Sequence, residues 1–83
     1  LKTEYAIVTL DQIASKFKSG EVTKEALVEA GLLSGKQKRQ PVKILTKGDF
    51  ATALSFVNID KFSKSAQELI EKAGGKIENR ESK

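Results

Sequence analysis

The sequence predicts a single small α/β domain built from short strands and short helices. Short runs rich in β-branched and aromatic residues alternate along the chain with apolar stripes at helical spacing. The 83 residues suffice for one domain, near the lower size limit of what folds on its own core. The chain contains no Cys, so no disulfide scaffold replaces that core.

Tyr5-Ala6-Ile7-Val8 reads as the first strand. Thr9 with Gln12 has capping-box spacing, and Leu10, Ile13, Ala14 and Phe17 place one apolar face on a short helix that Ser19-Gly20 ends. Thr23 is a second N-cap, with Glu25 in the first turn where the helix dipole favours a negative charge. Val22 and Leu27 have the spacing of a hydrophobic staple, and Gly31 has the place of a C′ glycine. Ser34 to Gln40 lacks any apolar residue and carries three cations, the pattern of a loop, and Pro41 biases Gln40 toward an extended backbone. Val42 to Leu45 is a strand and Lys47-Gly48-Asp49 a turn. Phe50 and Leu54 have helical spacing while Ser55 to Ile59 has strand composition, which predicts a helical turn or bend followed by a strand. Ala66, Leu69, Ile70 and Ala73 form the last helical stripe, with Phe62 one turn before it. Ser63 and Ser65 both offer caps for this helix, Ser65 with Glu68 at capping-box spacing. Gly74-Gly75 releases the chain into a strand at Lys76-Ile77-Glu78, and the polar Asn79–Lys83 reads as a frayed tail. Residues 1–83 are thus expected to form one globular domain. Because the chain opens at Leu1 and contains no Met, it reads as a fragment of a longer protein.

The net charge of +4 is unevenly distributed. Residues 31–64 hold seven Lys or Arg against only Asp49 and Asp60, whereas cations and acids nearly balance on either side. A local excess of this kind points to a polyanionic partner, with counterion release as the driving term. No apolar run approaches the roughly 20 residues that span a bilayer, and no secretory signal opens the chain. The lack of Cys fits a reducing compartment.

Catalytic chemistry finds little material here. Without His or Cys there is no imidazole or thiol catalysis and no zinc site of the usual kind. Gly31-Leu-Leu-Ser-Gly-Lys36 differs from a phosphate-binding loop in having three residues between its glycines, and Gln37 stands where Ser or Thr is required. Glu25 and Glu29 share a helix face as solvated surface. The reading is therefore no enzyme, no cofactor, no metal and no small-molecule substrate.

Lys61-Phe62-Ser63-Lys64-Ser65-Ala66, followed by Ile70 and Ala73-Gly74-Gly75, resembles the C-terminal signature of the ribosomal protein L15 family of the large subunit. Ile7-Val8 with Leu10, Glu21-Val22-Thr23, Glu29-Ala30-Gly31-Leu32-Leu33 and Pro41-Val42-Lys43-Ile44-Leu45 are similar to that family's successive blocks, in order. The resemblance implies an irregular β-β-α superhelix of the kind shared by L15 and L18e. It also implies a structural, non-catalytic role on the ribosome, with 23S-type rRNA and neighbouring large-subunit proteins as partners. Family members carry a basic, glycine-rich N-terminal extension that these residues do not include. Thr46 and Lys47 depart from a frequent glycine turn, and Asp60 would weaken the positive field beside the signature.

Two groups of residues are the candidates for rRNA contact. The N-terminus of the last helix exposes unpaired N–H groups, flanked by Lys61 and Lys64, and whichever of Ser63 and Ser65 does not cap can donate to a phosphate. The loop cations Lys36, Lys38 and Arg39 can contact phosphates through shape, Arg39 with a bidentate fork. Lys43 and Lys47 join them as supporting contacts. Two other readings compete: a DNA-binding module using the last helix, whose Lys64 and Lys72 are offset by Glu68 and Glu71, and a domain that docks an acidic protein.

Overall fold

The alternation of period-2 and period-3.6 segments folds into six short strands, three α-helices and one 3-10 helix in the computed structural model, which describes residues 4–79. In chain order these are β1 (Ala6–Thr9), α1 (Leu10–Lys16), β2 (Glu21–Val22), α2 (Lys24–Glu29), the 3-10 helix (Gly35–Arg39), β3 (Val42–Leu45), β4 (Ser55–Val57), β5 (Lys61–Phe62), α3 (Lys64–Lys72) and β6 (Lys76–Glu78). All strand pairing is parallel, in two sheets of order β1-β3-β5 and β2-β4-β6. Odd strands build one sheet and even strands the other, so the chain winds three times and lays one strand on each sheet per turn. This is the expected superhelix. Parallel neighbours need a long crossover, and here each crossover passes through the opposite sheet.

Alternation along the strands sets the inside. Ala6 and Val8 of β1 pair with Val42 and Ile44 of β3, and all four are buried. With Val22 and Phe56 of the second sheet, Leu10 and Ile13 of α1, Leu27 of α2, and Ala66 and Ile70 of α3 they form one cluster. Phe56 is its hub, in edge contact with Phe62 (centroids 5.7 Å apart) and tilted against Phe50 at 6.4 Å. Each buried Val, Leu, Ile or Phe side chain contributes about 1.5–3 kcal/mol on leaving water.

The helix ends follow local chemistry. Thr9 N–H donates to Gln12 Oε1 at 3.1 Å, and Thr23 Oγ1 accepts from Ala26 N–H at 3.1 Å. Both α2 and α3 close with a Schellman pair. Gly31 and Leu32 N–H reach the Val28 and Leu27 carbonyls, and Gly74 and Gly75 N–H reach those of Glu71 and Ile70. Gly74 has the positive φ of +89° that this closure requires. Gly75 is needed for a different reason: a Cβ there would lie 2.3 Å from the Leu54 carbonyl oxygen.

Four expectations change. Within Ser34–Gln40, expected as a loop, Gly35–Arg39 forms the 3-10 helix, and Ser34 N–H is capped by Gln37 Oε1 at 3.2 Å. Phe50–Leu54 forms no helical turn, since its backbone is committed elsewhere: Lys76 N–H bonds the Leu54 carbonyl at 2.9 Å. Phe62 lies on β5 rather than on the helix stripe, and the strand after Leu54 ends at Val57, with Asn58 at φ +57°. Residues 80–83, most of the expected tail, lie outside the described residues.

Candidate nucleic-acid interface

The nine candidate residues sit along β3 and β5 and at the ends of these strands. Lys43 and Lys61 are register partners, with Ile7 as the partner of Lys43 on the other side. The buried residues of β1 and β3 point inward, so Ile7, Lys43 and Lys61 form one row on the opposite, outer face. Neighbouring strands are about 4.8 Å apart, so two ammonium stems stand side by side. Lys61 is exposed, Lys43 half-buried, and neither has an ion-pair partner among the described residues.

The chain then passes from β5 into α3. Ser63 N–H donates to the Ile44 carbonyl at 2.9 Å while Ser63 Oγ accepts from Ala66 N–H at 3.2 Å. This serine, not Ser65, is the N-cap, and its hydroxyl oxygen is engaged. Ser65 and Lys64 are exposed in the first turn, which holds no acid. Their geometry follows from Phe62 being pulled onto the sheet beside Ile44, which leaves Ser63 as the first residue free to cap.

Lys47 leaves β3 at this same end and is exposed. Its charge is shared with Asp11 at the start of α1. The Thr9 hydroxyl, donating to Asp11 Oδ1, is the main cause holding that carboxyl below 3.8, with Lys47 adding to the effect. Thr46 Oγ1 beside it is buried with no hydrogen-bond partner among the described residues.

Lys36, Lys38 and Arg39 lie at the opposite end of β3, on the 3-10 helix that feeds it. With three residues per turn, Lys36 and Arg39 eclipse on one side. Lys24 Nζ donates to the Gln40 carbonyl at 2.6 Å and so ties the end of this segment to α2. Lys36 faces Glu4 at 3.9 Å, with both side chains more than 70% exposed, at 82% and 73%. Such a pair contributes little to stability. Lys38 and Arg39 have no partner among the described residues.

The candidates therefore form a middle pair and two ends around one sheet rather than a single compact patch. Two further residues shape this surface. Asp60, which weakens the positive field, also accepts Val42 N–H at 2.8 Å through Oδ2 and so closes the start of β3. Ile7 joins the lysine row, and the in-out alternation of β1 was the signal for it. The outer side of α3 is different in character: its shallow depression of about 640 Å³ is lined by Ser65, Glu68, Leu69, Glu71 and Lys72, with two acids against one lysine. A groove of DNA would be repelled there. No helix among the described residues is long and apolar enough to cross a membrane.

Residues 7–78 match the family described as ribosomal proteins 50S-L15, 50S-L18e and 60S-L27A. The chain belongs to this family. It is similar to large ribosomal subunit protein uL15 of Micrococcus luteus, with 44% identity over 78 residues covering 93% of the chain and 49% of the relative. It is 51% identical to uL15 of Bdellovibrio bacteriovorus over 74 residues, 89% of the chain and 46% of the relative. Similarity to uL15 of Cutibacterium acnes is 40% over 80 residues, 95% of the chain and 52% of the relative. The chain thus spans about half the length of these L15-family relatives. The family is one of ribosomal proteins, not of enzymes, as the missing catalytic side chains led one to expect.

Proposed function

We propose that this chain is a structural constituent of the large subunit of the cytoplasmic ribosome, that it binds 23S-type rRNA through phosphate contacts, and that it supports subunit assembly beside neighbouring large-subunit proteins. The observation that carries this reading is the arrangement of seven cations along β3 and β5 in a chain whose family match runs over residues 7–78. Lys36, Lys38 and Arg39 act at one end of β3, Lys43 and Lys61 in the middle, and Lys47, Lys64 and the Ser65 hydroxyl at the other. Ser63 contributes by fixing the α3 N-terminus rather than by contact. Lysines act as point charges on phosphate oxygens and read no base edges, so binding follows the shape of the RNA. Reconstitution tests the reading: labelled chain is added to large-subunit rRNA and proteins, then separated on a gradient. Co-sedimentation with the large-subunit particle is expected. Label remaining at the top of the gradient, or equal in small-subunit particles, contradicts it.

A further inference from the structure

We infer that the outer face of the β1-β3-β5 sheet is the surface on which RNA lies, with Lys43 and Lys61 on the phosphates of one strand and Ile7 against its riboses. The inference deepens the rRNA-binding reading and rests on it. Lys43 and Lys61 are register partners on adjacent parallel strands about 4.8 Å apart, so their like charges repel, yet no acid stands on their row. The other sheet is arranged differently: its corresponding row, Glu21, Ser55 and Lys76, is balanced in charge. An anion on the first sheet relieves the repulsion that the pairing imposes.

Ile7 adds a second observation. It is the one large hydrophobic side chain exposed among the described residues, at 44%, and it adjoins Lys43. A protein partner is the weaker match for this row, because protein interfaces are depleted in lysine and centre on aromatic or arginine anchors. The shallow minor groove of an RNA helix presents sugar edges beside phosphates, the mixture that one isoleucine on the edge strand beside two lysines complements.

The absence of Cys makes a clean test possible. Ile7→Cys introduces a single thiol on the row and Ser19→Cys a control in an exposed turn. Alkylation of each is timed with and without a 23S rRNA transcript, with binding followed in parallel by gel shift. The expected result is that bound RNA slows alkylation of the thiol at position 7 several-fold and leaves the control unchanged. A Lys43→Gln/Lys61→Gln variant should melt no lower than the parent while its logarithmic salt slope falls by about 0.7–0.9 for each lysine removed. RNA that binds but leaves position 7 as reactive as before overturns the inference while the rRNA reading stands. No shift at all overturns both. Protection by polyglutamate but not by RNA overturns the inference in favour of an acidic protein partner.

Discussion

At the scale of single residues, several side chains near the cationic strands serve the backbone rather than a ligand. Asp60 shows how charge counting misleads: its carboxylate holds the Val42 N–H, a role that only the three-dimensional pairing of β3 with β5 reveals. Thr46 is the opposite case, a buried hydroxyl with no partner among the described residues. Replacing it with Val removes the unsatisfied group while keeping the shape, so Thr46→Val should raise stability by about 1 kcal/mol in urea unfolding. The Thr9–Asp11 bond makes a pH prediction. The folded carboxyl titrates below its ordinary 3.8, so its stabilising contribution is complete above that value and is lost as pH falls through the folded value. Following Asp11 by NMR, Thr9→Val should move the midpoint upward. An unchanged midpoint would remove the hydroxyl as its cause.

At the scale of elements, what was legible in the sequence is what local chemistry decides. The three helices, their apolar faces and the closing glycines were readable because caps and i, i+4 spacing act within one turn. The two-residue strands β2 and β5 were not, since a strand that short exists only by virtue of its partner. The 3-10 helix carried its own signal in Ser34 and Gln37, outweighed by a polar composition that resembles a loop. The choice between Ser63 and Ser65 was open for the same reason as β5: it depends on where Phe62 docks. Ser63→Ala should therefore cost about 0.5–2 kcal/mol of stability. Ser65→Ala should leave the melting temperature unchanged and weaken RNA binding. Equal thermal effects of the two variants would contradict the assignment of the cap.

At the scale of the molecule, scaffold and charge are separable. Among the described residues the core is a single apolar cluster with no buried charged residue, and the candidate cations lie outside it around one sheet. The grouping of those cations was only partly legible, because linear order places Lys36–Arg39 beside Lys43 while the superhelix puts Lys61 there instead. Ile70→Ala should lower stability by about 2–5 kcal/mol through the cavity it opens, with RNA affinity of the folded fraction retained. Lys36→Ala/Lys38→Ala/Arg39→Ala should do the reverse, weakening RNA binding with the melting temperature nearly constant. The most direct measurement of the central claim is the affinity of the chain for 23S rRNA across a salt titration. A phosphate-bound scaffold predicts a steep linear fall of log affinity with log salt, about 0.7–0.9 per phosphate neutralised. An affinity that stays level as salt rises would contradict it.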